Sequence, residues 1–246
     1  VMKTLAHKLI SVASGVPSIA TGDIVICNVD LAMIHDSGGP RRVKPILERL
    51  NRSVWDKDKV VVVTDHYVPA TNAETQAIQA LTKEWVREQD IEKFYDEQGI
   101  CHVVLPERGH LSPGKFCVGG DSHSPTGGAF GAYMFGIGAT EMAGVLATGT
   151  IWIKVPETIL IRWHNQLSPF VTAKDMMLAT CRKIGMGGGR YQAIQFAGDA
   201  VRQLGMQDRM TLSNMAAELG AQAGLIAPDE TTIDYIHKAG GIVPED

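Results

Sequence analysis

The sequence predicts an α/β protein built on a mainly parallel sheet covered by helices on both faces. Short runs dense in Val, Ile and Leu alternate with longer stretches of helical period, and two of the strand-like runs stop at an acid closely followed by a histidine. The scale fits: 246 residues, 45% of them hydrophobic, can bury a substantial core and argue against disorder. In such folds ligands gather at the carboxyl ends of strands, where these acid-histidine pairs fall.

The first helix is marked by Leu5, Leu9, Val12 and Ala13 and ends in the break made by Gly15, Pro17 and Gly22. DIVICNVDLAMI reads as one buried strand running into the turn HDSGGP, and RRVKPILERL returns to a helical period. KVVVVTDH is a buried strand that stops at Asp65 and His66; a long polar-faced helix starts near Asn72. GICHVVLP and KFCVGGDSH read as two more short apolar runs. The second ends at Asp121 and His123, before the glycine-rich, helix-like segment SPTGGAFGAYMFGIGATEMAGVLATG. Small residues there would let a helix approach the sheet and leave its first N–H groups free for an anionic substrate. IWIKVPETILIRW has the period of two of a half-exposed strand, and from Thr172 to about Gly240 the chain is expected to be mainly helical. GMGGGR, residues 185–190, follows a helix and lacks the Lys-Ser/Thr ending of a phosphate loop, so a turn is expected. The expected organisation is an α/β domain over residues 1–165 and a mainly helical subdomain over residues 166–246, with a soft boundary near residues 165–172.

Charge and cysteine usage narrow the function classes. With 23 basic and 27 acidic residues the net charge is −4 and both signs are scattered, which does not make the basic stripe that nucleic acid requires. Residues 122–140 carry no formal charge, yet glycine, serine, threonine and proline fill too much of the segment for a membrane span. The N-terminal stretch is too broken by His7, Lys8 and serines for a secretory signal, so a cytoplasmic location is expected. Cys27, Cys101, Cys117 and Cys181 lie far apart in apolar runs with no C-x-x-C pair, and read as buried thiols in a reducing compartment.

Three clusters have the composition of an acid-base site: TDHYVPAT with Asp65 and His66, GICHVV with His102, and GDSHS with Asp121 and His123. A carboxylate beside an imidazole fixes its tautomer and raises its pKa, which suits the imidazolium to giving a proton to a departing hydroxyl near neutral pH. Glu218 stands four residues after Asn214, so a helix would carry both on one face. Each feature alone is ordinary: an Asp-His dipeptide is usually a cap, and a lone histidine is more often part of a core. Their coincidence at strand ends is what favours function. His7, His110, His164 and His237 lack such company; His35 precedes the DSGGP turn and can line a site.

Three blocks in family order, TDHYVP, GDSHSPTGGAFGAYMFGIGATEMAGVLATGTIWIKVPE, and the stretch from AIQFAGDAVRQLG through LSNMAAELGAQAGLIAPDETT, make the chain resemble the large subunits of the aconitase superfamily, closest to the 3-isopropylmalate dehydratase and homoaconitase branch. The resemblance covers nearly the whole chain. It implies a three-layer α/β/α aconitase-like fold and the dehydration and rehydration of a hydroxy di- or tricarboxylic acid through an enoic acid, assisted by a [4Fe-4S] cluster acting as Lewis acid. By the same matching, Asp65 and His66 protonate the leaving hydroxyl, His102 pairs with Asp121, His123 pairs with Glu218, Asn214 lies in the cluster-side pocket, and Ser122 with Asp36 and Ser37 of DSGGP shapes the carboxylate-binding wall. A glutamine of the aconitases proper is replaced by Pro40, which favours the isopropylmalate and homoaconitate branch.

The sequence departs from the family in one respect. The family's cluster cysteines, one in a GSCTN-like segment and two in a C-x-x-C, are absent from this chain, and its serine base and several substrate arginines belong to a further domain or a small, swivel-domain subunit. The 246-residue chain alone is therefore expected to be inactive, with a small subunit as partner. Two alternatives stay open: a non-catalytic remnant or assembly subunit that binds a carboxylate or partner, and a zinc hydrolase using His66, His102, Asp121 and His123.

Overall fold

The computed structural model describes residues 3–244. In chain order it places α1 (Leu5–Ser14), β1 (Ile24–Asn28), β2 (Leu31–His35), α2 (Pro40–Arg49), β3 (Val60–Thr64), α3 (Ala73–Glu88), β4 (Phe94–Asp96) and α4 (Cys101–Glu107). There follow β5 (Phe116–Gly119), a 3-10 helix (Ser124–Phe130), β6 (Tyr133–Gly136), α5 (Ala139–Thr148), β7 (Thr150–Lys154) and β8 (Thr158–Arg162). The last part holds α6 (Ala173–Ile184), β9 (Ala193–Ala197), α7 (Asp199–Gln203), α8 (Met206–Asn214), β10 (Ala223–Ile226) and α9 (Glu230–Lys238).

The central sheet has the order β4-β3-β2-β5-β6, and every pairing in it is parallel. Its strands feed two cores by alternation. Ile34, Val60, Val62, Phe116 and Val118 face one core with residues of α1, α2, α3 and α5, while Met33, Val61, Val63, Cys117 and Met134 face another with Val104, Leu105 and Ile236. That is the three-layer arrangement the resemblance implies.

Four segments differ from the sequence expectation. The run from Ile24 to His35 is two strands rather than one: β1 pairs antiparallel with β7 in a two-stranded ribbon, and β2 enters the central sheet. The chain turns between them at Asp30, whose carboxylate accepts the Phe116 N–H at 2.8 Å. The period-two stretch from Ile151 to Arg162 is likewise split, at Val155 and Pro156, between β7 in the ribbon and β8 in a third sheet. That third sheet, β10-β9-β8, is parallel throughout. It brings β9 and β10 into a stretch expected to be helical, and it draws its strands from both sides of residues 165–172; runs of four or five apolar residues fit either period. Finally, His102 lies not at a strand end but in the first turn of α4.

The second helical layer is tied together by an ion pair with a buried arginine. Arg209, fully buried in α8, donates from Nη1 to Asp229 Oδ1 at 2.6 Å and from Nη2 to Asp229 Oδ2 at 2.8 Å, while Asp229 caps α9 by accepting the Thr232 N–H. α8 in turn packs on the 3-10 helix that follows β5, and so brings this layer against the carboxyl edge of the central sheet.

Candidate active site

Three neighbouring strands deliver the site. β2 ends in His35 and Asp36, β3 in Asp65 and His66, and β5 in Gly120 and Asp121. Since β2 lies between β3 and β5, their carboxyl ends set these side chains side by side.

Asp36, expected on the pocket wall, sits beneath it. Its carboxylate is wholly buried; Oδ1 accepts the N–H groups of Asp65 at 3.4 Å and His66 at 3.1 Å, and Oδ2 that of Tyr67 at 3.0 Å. The loop after β3 is thereby clamped, and the carboxylate has little left to offer a ligand. Asp65 bridges two elements: Oδ1 accepts from His66 Nδ1 at 2.6 Å, and Oδ2 accepts the Cys101 N–H at 2.7 Å at the start of α4. His66 therefore carries a proton on Nδ1, and its Nε2 lies 3.7 Å from Asp121 Oδ2.

Asp121 is the hub. Its Oδ1 accepts from His102 Nε2 at 2.6 Å and from the backbone N–H of His123 at 2.8 Å. The hydrogen bond from His102 is the main cause that holds its carboxyl well below the usual carboxylate range, with the His123 N–H helping. His123 Nε2 lies 2.8 Å from Glu218 Oε1, and its Nδ1 lies 3.2 Å from the exposed Ser122 hydroxyl. Both approaches implied by the resemblance, His102 to Asp121 and His123 to Glu218, are present.

Glu218 reaches His123 from a different element than expected. α8 ends at Asn214, and residues 215–220 continue as tight turns with i to i−3 bonds, including Glu218 N–H to the Met215 carbonyl at 3.2 Å. Asn214 Nδ2 donates to Thr126 Oγ1 at 3.0 Å, which fastens α8 to the turn holding His123. Ser37 is half-buried, and its carbonyl accepts from Arg41 Nε at 2.7 Å. A cavity of about 570 Å³ opens beside the pairs and is lined by His102, Thr126, Asn214, Met215 and Glu218 among others.

The glycine-rich segment does not present a free helix mouth. Residues 124–130 form a buried 3-10 helix whose early amides are spent: Ser124 N–H on the Asp121 carbonyl at 3.2 Å and Thr126 N–H on the His123 carbonyl at 3.1 Å. The small residues serve approach instead, since a Cβ on Gly128 would fall 1.9 Å from the Gly224 carbonyl oxygen.

His35 is the site residue that composition alone placed least well. It has no acid paired to it in the chain before it, but it ends the central strand β2 and stacks on His66 with ring centroids 3.9 Å apart. Its position at a strand end is the signal that could have found it.

None of the chain's cysteines fits a [4Fe-4S] cluster. Cys27, Cys101 and Cys117 are buried on β1, α4 and β5, and Cys181 lies on α6, spread over separate cores. Burial pushes the Cys27 and Cys117 thiols up to about 12 and raises those of Cys101 and Cys181, whereas a cluster ligand must be a thiolate. Among the described residues, the potential metal ligands that lie within 4.8 Å of one another are His35, Asp36, Asp65 and His66, a different set from the His66, His102, Asp121 and His123 of the zinc alternative. Their oxygens and the His35 nitrogens are already engaged by backbone groups and by His66.

Over residues 8–242 the chain matches the aconitase family (aconitate hydratase). The chain belongs to the aconitase family. It is 47% identical over 240 residues to the "3-isopropylmalate dehydratase large subunit 1" of Methanopyrus kandleri, across 97% of this chain and 57% of that one. It is 45% identical over 213 residues to the "Probable methanogen homoaconitase large subunit" of Methanosarcina mazei, across 86% of this chain and 54% of that one. The chain thus spans a little over half the length of these relatives. Among solved structures, the fold is similar to that of Thermococcus kodakaraensis aconitase X in its holo-form, with a TM-score of 0.50 at 12% identity over 91% of this chain and 57% of the other. Among the described residues of this aconitase-family chain, no helix is long and apolar enough to cross a membrane.

Proposed function

We propose that this chain is the proton-handling part of a hydro-lyase that removes and returns water on a hydroxy di- or tricarboxylic acid of the 3-isopropylmalate or homocitrate/homoaconitate type, through an enoic acid. The observation that carries the reading is the convergence of His66, His102 and His123, each held by a carboxylate, around Asp121.

Loss of water breaks a carbon–oxygen bond, and hydroxide leaves poorly unless it takes a proton as it goes. His66 supplies it: with Nδ1–H held by Asp65, the imidazolium releases its second proton from Nε2, the nitrogen on the side of Asp121. In rehydration the neutral Nε2 takes that proton back from water. His102 and His123, fixed by Asp121 and Glu218, present ring edges to the oxygens of the substrate and orient it. The carbon-bound proton goes to a base supplied by the small-subunit partner. The chain's own cysteines provide no thiolate for a cluster, so its share of the reaction is proton transfer and substrate placement. The same lack favours a second reading, a carboxylate-binding assembly subunit without turnover.

The test measures iron, sulfide, zinc and turnover on 3-isopropylmalate and homocitrate, for the 246-residue chain by itself and for the chain assembled with the small subunit and with the segment that carries the family's cluster cysteines. The chain by itself is expected to hold no cluster and to show no turnover, and the assembled enzyme to form the enoic acid. Stoichiometric zinc with hydrolytic activity, or an assembled protein that binds the hydroxy acid without converting it, overturns the proposal.

A further inference from the structure

His66, His102 and His123 each lean on a carboxylate; His35 leans on backbone. Its ring is buried, with Nε2–H donating to the Gly120 carbonyl at 3.0 Å and Nδ1 accepting the Gly38 N–H at 3.4 Å. With both nitrogens engaged, the imidazole cannot turn about its own axis without losing one bond or the other. Its face lies against the face of His66 at an interplanar angle of 9°, with centroids 3.9 Å apart.

These contacts divide the work of aiming His66. The bond from Nδ1 to Asp65 fixes rotation within the ring plane, and the stack on His35 fixes the plane itself, so together they set the direction of Nε2. The charged groups around the stack favour this division. Asp65, Asp121 and Asp36 lie within 2.6, 3.7 and 3.9 Å of the His66 nitrogens, and of the three only Asp121 also comes near the His35 ring, at 3.9 Å from Nε2. Burial first, and then His66 itself, lower the pKa of His35, while Asp65, Asp121 and the Gly120 carbonyl push it the other way. A neutral platform tolerates an imidazolium stacked upon it, whereas two imidazolium rings at this distance would repel.

We infer that His35 is a positioning residue for proton transfer at His66: its ring is the platform that fixes the direction of His66 Nε2. The inference rests on the reading of His66 as proton donor.

Two substitutions separate the platform from a merely structural role. His35→Phe keeps a flat ring against His66 but loses the donor to Gly120; His35→Gln keeps an amide donor for Gly120 but removes the ring. In the assembled enzyme, His35→Phe is expected to keep kcat within about threefold, and His35→Gln to lower it roughly tenfold or more with KM little changed, as misaiming a reacting group does. The converse pattern, with Gln tolerated and Phe impaired, overturns the inference, as does an equal fall in both variants. A His66→Ala control tells the two failures apart. If it retains turnover, the reading of His66 falls. If it loses turnover while the Phe and Gln variants depart from the expected order, only the platform falls. Should neither variant accumulate as folded protein, NMR of the unsubstituted chain decides. The ring protons of His66 are expected upfield under a stacked ring. Absence of that shift overturns the assignment.

Discussion

A Cβ placed on Gly136 would fall 2.4 Å from the carbonyl oxygen of Asp121 and 3.3 Å from Cα of Ser122. β6 therefore lies directly against the turn that carries the hub of the site, and the approach is backbone to backbone. A methyl there must push the turn, because no flexible side chain is available to yield. Displacing Asp121 moves the acceptor of His102 Nε2 and of the His123 N–H together. Gly136→Ala is expected to lower turnover by roughly tenfold to a hundredfold, the scale of an ångström-sized misplacement, with a smaller proportional loss in substrate affinity. Steady-state kinetics with a parallel thermal melt checks this; a variant that melts early but turns over normally when folded counts against it.

How much of this site could be read in the sequence varies residue by residue. KVVVVTDH announced both β3 and the pair at its end, because a fully buried parallel strand is a continuous apolar run with its polar groups pushed to the tip. The partnering of His102 with Asp121 and of His123 with Glu218 came only from family resemblance, since no periodicity links positions 19 and 95 residues apart. Asp36 and His35 are hard to read from the sequence for a common reason. Their roles depend on what the neighbouring strands bring beside them, three backbone amides for one and the face of His66 for the other. β9 and β10 were hidden because four or five apolar residues fit a helix turn as well as a strand, and only their pairing with β8 decides.

His110 offers a contrast with the site histidines. Its Nε2 is hydrogen-bonded to the Tyr95 hydroxyl at 2.6 Å, and burial, with Lys93, Lys115 and Arg108 adding to it, brings its pKa down to about 4. The unfolded chain takes up this proton near the ordinary value of about 6.5, before the folded chain does. The stability associated with neutral His110 is thus fully present above about pH 6.5 and is lost as the pH falls toward about 4. His110→Ala is expected to leave the Tyr95 hydroxyl unpartnered at about 1–3 kcal/mol, to flatten that part of the acid limb, and to leave turnover nearly unchanged. Denaturant unfolding at several pH values, alongside an assay at neutral pH, checks it; a tenfold fall in turnover would place His110 in the chemistry after all.

The assignment of His66 carries the heaviest consequence. If its Nε2 gives the proton that carries hydroxide away as water, His66→Ala should lower turnover by roughly 10²- to 10⁴-fold while KM changes far less. Asp65 needs a gentler substitution, because it holds two partners: removing its side chain frees His66 Nδ1 and also uncaps the Cys101 N–H at the start of α4. Asp65→Asn can keep an acceptor for one of them and is the variant to make. It should lower turnover in the same direction through the orientation of His66. The double variant should be less than additive, since a residue that acts through another has nothing left to orient once that other is gone. Strict additivity in that cycle would mean that Asp65 acts on the reaction by some route other than His66, and near-normal turnover in folded, fully assembled His66→Ala would mean that the proton comes from another group.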